Sequence, residues 1–316
     1  MQPAILVRGP NWIGDHVMAR PFYEGLRALY PGASICLMAK EPVLELDFPG
    51  LFDEKRPVPP RLSRERFELA ISLPCSFSSA WLLFRARIPR RIGFSGDGNR
   101  WMWTDSIPWT GRSSGRHKSE LFRELLTVLP ADGQLSESTS PSRSAEVPTC
   151  ERESYIVVAP EASIPLREWP YVPELLRELR RRFPERSVRV VGVSRDGKWS
   201  GCIRRLGDPW VEDWVGRTTL SELTRICRRA SLVVANDSGV AHLAATLADA
   251  PTVVLFGPGD PVYVAPQGKK VAVARVEGLA CSPCEKPYCR APYGYARCLR
   301  DLRLEPVMAR IESFLG

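Results

Sequence analysis

Short apolar runs alternate with amphipathic segments along the whole chain, and this alternation predicts the fold class. The runs have the length and the Val, Ile and Leu content of buried strands. In chain order they are AILVRG, SICLMAK, ELAISLP, SYIVVAP, VRVVGV, SLVVAND and PTVVLFGP. Segments between them, such as YVPELLRELRRRF and LSELTRICRRA, carry apolar residues at helical spacing. Strands that alternate with helices form parallel sheets through βαβ crossovers, so each half is predicted to be a doubly wound, Rossmann-like α/β domain.

A stretch near the middle of the chain is typical of a linker. Residues 131–154, ADGQLSESTSPSRSAEVPTCERES, are rich in Ser, Pro and charge and have no periodicity. We therefore predict a first domain over residues 1–148 and a second over residues 149–316, facing each other across a cleft. The last helix is a candidate to pack back on the first domain. Ligands in such folds bind beyond the carboxyl ends of strands and in clefts between domains.

The charge balance is basic, with 44 Lys and Arg against 36 Asp and Glu. Such a surface attracts phosphates, acidic lipid headgroups or nucleic acid. A nucleic-acid-binding protein would interleave aromatic with basic residues or carry a reader motif; neither pattern occurs, so we expect no nucleic-acid partner. The apolar runs, such as AWLLF, are too short for a signal peptide or a membrane span. We expect a cytoplasmic protein that rests on a membrane surface.

The segment LVVANDSGVAHLAATLADAPTVVLFGPGDP carries the clearest chemical signal. Asn236 and Asp237 follow a buried strand, and Ser238 and Gly239 open a helix that contains His242. Free N–H groups at a helix start hold phosphate, and glycine lets the ligand approach the backbone closely. The GPGDP turn after the next strand suits a wall for sugar hydroxyls. The alternative interpretation is that Asn236 and Asp237 only cap the helix and that His242 packs in its first turn.

A second strand, loop and helix occur in VVAPEASIPLREWPYVPELL. Arg167 in this loop can reach a diphosphate with paired N–H donors, and Ser163 can add a hydroxyl. The alternative is a solvated arginine paired with Glu168. Trp169 and Pro170 would fix the loop in place, which favours the binding role.

The cysteines form a separate cluster in the sequence. Nine occur in a chain without an export signal, so we expect reduced thiols. Cys281, Cys284, Cys289 and Cys298 are spaced C-x2-C-x4-C-x8-C, and the opening pair suits a tetrahedral zinc ion. The later spacings are not those of a common zinc module. A structural zinc site and a redox-sensitive thiol cluster both remain open.

Several of these motifs together resemble one family. NWIGDHVM, RIPRRIGFSGDGNR, REWP, NDSGVAHLAA, LFGPGDP and CSPCEKPYCRAPYGYARC are similar, in the same order, to motifs of the lipopolysaccharide heptosyltransferases of glycosyltransferase family 9, particularly the heptosyltransferase II branch. The resemblance spans nearly the whole chain. It implies a GT-B fold, an ADP-heptose donor held by the second domain, and a lipid A-core acceptor (Kdo and heptose) at the first domain. It also implies metal-independent transfer with inversion, no required cofactor, and peripheral contact with the anionic inner face of the inner membrane.

The resemblance implies that Asp15 is the catalytic base. Transfer with inversion needs a group that takes the proton of the acceptor hydroxyl while the leaving diphosphate is stabilised. Trp12, Ile13 and Gly14 place this acid as the family motif does, at the end of the first strand and before a helix. The alternative is that Asp15 is the N-cap of that helix.

The other site residues follow from the same resemblance. It implies donor contacts by Ser163, Arg167, Asp237, Ser238, Gly239 and His242, nucleoside-side contacts by Asp196 and Thr218, and acceptor contacts by Arg91 and His117, which lie in the basic segments FRARIPRRIGF and GRSSGRHKSE. The family usually has lysine where this chain has Arg167. Arginine keeps the positive charge but replaces the ammonium group of lysine with a planar guanidinium that donates through several N–H groups.

Two other functions of the same architecture are compatible with parts of the sequence. A nucleotide-sugar isomerase or hydrolase would need further acid and base groups beside the anion site, and three histidines with no obvious second acid argue against it. A degenerate, non-catalytic nucleotide-sugar binder stays open because of Arg167. Retained donor turnover would separate an enzyme from such a binder.

Overall fold

The computed structural model describes residues 4–62, 67–129, 151–193, 197–292 and 294–316. The chain divides into two compact units, Met1–Glu146 and Val147–Gly316. The predicted linker lies almost entirely outside the described residues, since only its last positions, 151–154, are described.

The first unit is built on a six-stranded parallel sheet. Its strands are β1 (Ala4–Arg8), β2 (Ser34–Ala39), β3 (Glu54–Pro57), β4 (Leu69–Ser72), β5 (Arg90–Ser95) and β6 (Asp105–Pro108), in the order β3-β2-β1-β4-β5-β6. Its helices are α1 (Ile13–Met18), α2 (Arg20–Leu29), α3 (Glu41–Leu44), α4 (Phe77–Arg85) and α5 (Lys118–Glu124). Short 3-10 turns at Arg100–Met102, Gly111–Ser114 and Leu125–Val128 complete the described elements.

The second unit repeats this architecture with another six-stranded parallel sheet. Its strands are β7 (Tyr155–Ala159), β8 (Ser187–Gly192), β9 (Val211–Val215), β10 (Leu232–Asn236), β11 (Thr252–Leu255) and β12 (Val271–Ala274), in the order β12-β11-β10-β7-β8-β9. Its helices are α6 (Val172–Arg182), α7 (Lys198–Leu206), α8 (Leu220–Arg229), α9 (Gly239–His242), α10 (Pro261–Val264), α11 (Arg297–Arg300) and α12 (Leu304–Leu315), with a 3-10 turn at Pro165–Arg167 and a π-helical turn at Leu243–Leu247. The predicted pair of doubly wound α/β domains is confirmed.

The final helix packs on the sheet of its own unit. Val307, Met308 and Ile311 of α12 are buried in the core that also contains Trp169 and Leu299. Its apolar face is thus covered by the second unit itself. Among the described helices, none combines the length and the apolar character needed to cross a bilayer.

His16 lies in the core of the first unit beside β1. Its side chain is fully buried, its Nδ1 lies 3.0 Å from the hydroxyl of Tyr23, and its ring packs on those of Tyr23 and Phe48. Burial, helped by the nearby charges of Lys55 and Arg8, lowers the pKa of His16 to about 3. The imidazole therefore stays neutral in the folded chain throughout the physiological pH range.

This burial predicts a loss of stability in acid. The unfolded chain protonates His16 below about pH 6.5 and the folded chain does not, so the free energy of unfolding falls as the pH drops from about 6.5 towards 3. From about pH 7.5 to pH 5, His16 alone should lower the free energy of unfolding by roughly 2 kcal/mol. The variant His16→Gln should lack that component, measured as the difference in urea unfolding free energy at the two pH values. Equal losses in both proteins would contradict the assignment.

Candidate active site and donor-binding site

Asp15 lies inside a helix rather than before one. Strand β1 ends at Arg8, α1 begins at Ile13, and Asp15 is in the first turn of α1. Trp12 occupies the N-cap position and makes no side-chain cap hydrogen bond. The expectation that Asp15 follows the first strand directly and precedes the helix is therefore wrong, as is the alternative that it is the N-cap. A carboxylate in the first turn is favoured by the helix dipole.

Buried groups fix the turn that carries Asp15. Arg8 is buried, and its Nη2 donates to Asn11 Oδ1 at 2.5 Å while its Nη1 donates to the carbonyl of Gly9. Burial lowers the pKa of Arg8 to about 10. A Cβ at Gly9 would lie 3.0 Å from the ring of His16, so the backbone passes close over that side chain. The entry into α1 is thus held by the core of the unit.

Lys118 is the partner of the predicted base. Its Nζ lies 2.8 Å from Asp15 Oδ1, and both side chains are partly exposed. The second carboxylate oxygen, Oδ2, makes no hydrogen bond within the described ranges. One oxygen is therefore held by an ammonium group while the other is available to accept the proton of a hydroxyl. The sequence marks Lys118 only as part of a basic run, because 103 residues separate the two groups along the chain.

His117, a predicted acceptor contact, caps the helix that carries Lys118. Its side chain accepts a hydrogen bond from the backbone N–H of Ser119 at 3.2 Å, and its Nδ1 lies 2.8 Å from Ser119 Oγ. This cap fixes the start of α5 and with it the position of Lys118. The acceptor role of His117 stays a prediction.

Arg91, the other predicted acceptor contact, holds a loop of the first unit together. Its Nε donates to the carbonyl of Met102 at 2.8 Å, its Nη1 donates to the carbonyl of Ile88, and its guanidinium lies over the ring of Phe84. Burial lowers the pKa of Arg91. These donors serve the backbone of the unit, and acceptor binding by Arg91 stays a prediction.

In the second unit, Asn236 connects two strand ends. It is the last residue of β10; its Oδ1 accepts from the backbone N–H of Trp169 at 3.1 Å, and its Nδ2 donates to the carbonyl of Pro160 at 2.6 Å. Ser238 takes the N-cap position of α9 without a side-chain cap bond. The alternative that Asn236 and Asp237 only cap this helix is therefore wrong.

Arg167 joins the two loops that the sequence predicts to bind the donor. Its Nη1 lies 2.9 Å from Asp237 Oδ2, and its Nη2 lies 3.0 Å from Glu285 Oε2. Glu168 instead pairs with Lys198 at 2.8 Å, so the alternative pairing of Arg167 with Glu168 is wrong. Asp237 is 3% exposed at its side chain and Arg167 is 18% exposed. The pair lies at the carboxyl edge of the sheet, where ligands of such folds bind.

The GPGDP turn packs directly on Asp237. A Cβ at Gly259 would lie 2.1 Å from Asp237 Oδ2, which only a glycine avoids. The next residue, Asp260, caps α10 through the N–H of Val262 at 3.1 Å and donates its own N–H to Glu285 Oε1 at 2.5 Å. The turn therefore sets the position of both carboxylates that contact Arg167.

The contact at Gly259 makes a direct prediction. The variant Gly259→Ala should displace the Asp237 carboxylate, weaken ADP binding at least about tenfold and lower the free energy of unfolding by about 1–3 kcal/mol. Gly201→Ala is the control, because Gly201 lies in α7 and a Cβ there would meet only the flexible ends of Arg205, at 3.4 Å, and Arg204, at 3.8 Å. Calorimetry with ADP and urea unfolding measure both effects. Unchanged ADP binding in Gly259→Ala would contradict the placement of the donor site.

The remaining predicted donor residues differ in burial and hydrogen bonding. Ser163 is exposed in the loop after β7, Gly239 opens α9, and His242 is buried at the end of that helix. The hydroxyl of Ser238 is buried and makes no hydrogen bond within the part of the chain that the structure describes. Asp196 lies outside the described residues.

Thr218 lines a separate groove of about 740 Å³ in the second unit. The groove is basic and has aromatic walls; it is lined by Glu153, Tyr155, Arg189, Trp214, Arg217, Thr218, Glu222, Arg225, Ile226, Arg228 and Arg229. None of the other predicted donor residues is among these lining residues. The structure thus brings Arg167 and Asp237 into contact, whereas the donor role of Thr218 stays a prediction.

The cysteines of the segment are free thiols that lie near one another. Burial, together with the neighbouring thiols of Cys284, Cys281 and Cys289, raises the pKa of Cys298 to about 11. In the described ranges no group of His, Cys, Asp or Glu has an arrangement that could hold a metal ion. The geometry therefore gives no support to the zinc alternative. The sequence did not single out Glu285 of this segment, and no local signal links it to Arg167.

Comparison with known proteins points to one family. The sequence model of Glycosyltransferase family 9 (heptosyltransferase) matches residues 58–293. Lipopolysaccharide heptosyltransferase 2 of Salmonella typhimurium is 27% identical, with 99% of this chain and 98% of the relative covered. Its Escherichia coli K12 counterpart is 26% identical, with 98% of each covered.

Solved structures agree with these matches. The structure of E. coli ADP-heptose LPS heptosyltransferase II superposes with a TM-score of 0.75 at 26% identity, covering 99% of this chain and 98% of that one. A glycosyltransferase family 9 crystal structure from Veillonella parvula superposes with a TM-score of 0.79 at 18% identity, covering 99% and 97%, and supports the fold.

Proposed function

The chain belongs to glycosyltransferase family 9 and is a glycosyltransferase; we propose that it transfers heptose from ADP-heptose to the inner core of lipopolysaccharide, with inversion at the anomeric carbon. Curated relatives that match over nearly their full length are named lipopolysaccharide heptosyltransferase 2. A solved relative at 26% identity is an ADP-heptose LPS heptosyltransferase II. The expected GT-B fold agrees with that similarity.

The geometry of Asp15 carries the proposed mechanism. Lys118 holds Oδ1 at 2.8 Å, and Oδ2 has no hydrogen-bond partner among the described residues. Oδ2 accepts the proton of the acceptor hydroxyl while the oxygen of that hydroxyl forms its bond to the anomeric carbon. The bond from this carbon to the diphosphate oxygen breaks at the same time, and its electron pair leaves with ADP. Attack on the face opposite the leaving group inverts the configuration.

The second unit supplies the groups for the leaving diphosphate. Arg167 keeps N–H groups beyond those directed at Asp237 and Glu285, and its buried Nε has no partner in the described part of the chain. A guanidinium with open donors stabilises the negative charge that develops on the departing diphosphate. The adjoining N–H groups at the start of α9 add donors, and Asp237 is an acceptor for sugar hydroxyls.

The location and the acceptor belong to the same proposal. The acceptor is the growing lipid A core, with Kdo or heptose, and Arg91 and His117 are its proposed contacts in the first unit. Such an acceptor is anionic and attached to lipid, and the basic excess of 44 Lys and Arg over 36 acids suits it. We place the protein in the cytoplasm, at the inner face of the inner membrane, with no nucleic-acid partner and no required cofactor.

Product formation tests this function. Purified protein is incubated with ADP-heptose and truncated lipid A-core acceptors, and ADP release and glycosylated product are measured together. We expect both only when donor and cognate acceptor are present, and neither with ADP-glucose. ADP-heptose bound without turnover for any core acceptor would indicate a degenerate binder. Donor consumed in the absence of an acceptor would indicate a hydrolase or an isomerase.

A further inference from the structure

The carboxylate of Glu285 connects three strand-end loops of the second unit. Its Oε2 lies 3.0 Å from Nη2 of Arg167 in the loop after β7. Its Oε1 accepts the N–H of Asp260, in the turn after β11, at 2.5 Å. Glu285 itself belongs to the cysteine segment that follows β12, which has no role in the mechanism above.

The backbone around Glu285 is anchored on the same turn. The N–H groups of Cys284 and Glu285 both donate to the carbonyl of Pro258, at 2.9 and 2.8 Å, and Ser282 Oγ donates to the carbonyl of Gly257 at 2.8 Å. Glu285 has a φ of 56°, a conformation that is unfavourable for a residue with a side chain. The contacts of the segment hold the residue in this conformation, so its carboxylate cannot follow Arg167 freely.

Arg167 needs such a fixed partner because its guanidinium is planar. Nη1 forms an ion pair with Asp237 Oδ2 at 2.9 Å, and Nη2 donates a hydrogen bond to Glu285 Oε2 at 3.0 Å, so contacts on two different nitrogens define the plane of the group. Its Nε is buried and makes no hydrogen bond within the described residues. A planar donor serves a diphosphate only when its remaining N–H groups point at the phosphate oxygens.

We propose that Glu285 is a positioning residue that orients the Arg167 guanidinium towards the diphosphate of the donor, an inference that rests on the proposed function of this site. The cysteine segment then holds this carboxylate in position at the donor site. Glu285 acts on the donor through Arg167 and not by contact with the reacting atoms.

Whether one substitution strengthens or weakens ADP binding separates a positioning role of Glu285 from a purely electrostatic one. Glu285 adds a negative charge beside a site for an anion, so charge alone predicts tighter ADP binding when it is removed. Orientation predicts the opposite: Glu285→Ala should weaken ADP binding about tenfold, because the guanidinium loses one of its two contacts. Glu285→Gln keeps only one of the two acceptor oxygens, because its NH2 group would face either the N–H of Asp260 or Arg167, so its ADP affinity should lie between those of the parent and Glu285→Ala.

A double-mutant cycle distinguishes positioning from general support of the fold. An ammonium group has no plane to orient, so in an Arg167→Lys background the change Glu285→Ala should cost less than about threefold in ADP binding. Calorimetry with ADP and with inorganic pyrophosphate gives the affinities, and kcat with ADP-heptose is measured in parallel. Equal losses in the two backgrounds, or tighter ADP binding by Glu285→Ala, would overturn the inference.

The same data keep this inference separate from the proposed function. Coupling between the two positions in ADP and pyrophosphate binding, together with no product from ADP-heptose, would support the positioning role and reject heptose transfer. Product formation without such coupling would support the transfer and reject the positioning role. A parent protein that binds neither ADP nor pyrophosphate would reject both.

Discussion

Replacing Asp15 by asparagine is expected to lower kcat by about 10²–10⁴-fold, the usual contribution of a general base. Asparagine has nearly the same shape but cannot accept the proton of the acceptor hydroxyl. The proposed donor contacts belong to the second unit, so the affinity for ADP should stay within about threefold. Single-turnover product formation and calorimetry with ADP measure the two quantities.

A carboxylate elsewhere in the first unit provides the control for Asp15. Glu24 also forms an ion pair: it lies 2.8 Å from Arg20, which is on the same helix, α2. Its side chain has the same exposed fraction as that of Asp15. Glu24→Gln should leave kcat unchanged. If Asp15→Asn retained more than about a tenth of the parental kcat with its fold intact, the base would have to be another group.

Replacing Arg167 by methionine should lower both stability and donor affinity. Asp237 is almost fully buried and would lose the guanidinium 2.9 Å away. Removing one partner of a buried pair costs about 3 kcal/mol of unfolding free energy or more. ADP binding should fall by at least about 100-fold, since the diphosphate loses a charged donor. Urea unfolding and calorimetry measure the two effects.

Two further variants make the Arg167 result interpretable. Arg180 pairs with Asp208 at 3.7 Å on the surface of the same unit, so Arg180→Met should change stability by less than about 1 kcal/mol. Combining Arg167→Met with Asp237→Asn removes both charges and should recover much of the lost stability without restoring ADP binding. If Arg167→Met bound ADP as the parent does, the proposed donor site would be wrong.

The sequence predicted the interior of each sheet better than its edges. The predicted strands are β1, β2, β4, β7, β8, β10 and β11, whereas the edge strands β3, β6, β9 and β12 were not predicted. Interior strands are covered on both faces and therefore form continuous apolar runs. The edge strands β3 and β6, EKRP and DSIP, are partly exposed and polar. β5 was also missed, because it opens with two arginines.

By itself the sequence determined the doubly wound fold and the family and singled out Asp15, Arg167 and Asp237 as candidates, because buried strands and motif order are properties of consecutive residues. Only the tertiary structure decided which groups pair with them. Lys118 meets Asp15 across 103 residues, and Glu285 meets Arg167 across 118. Such contacts depend on strand order and loop packing, which bring distant segments to one sheet edge. No local sequence pattern indicates which distant residues will come into contact.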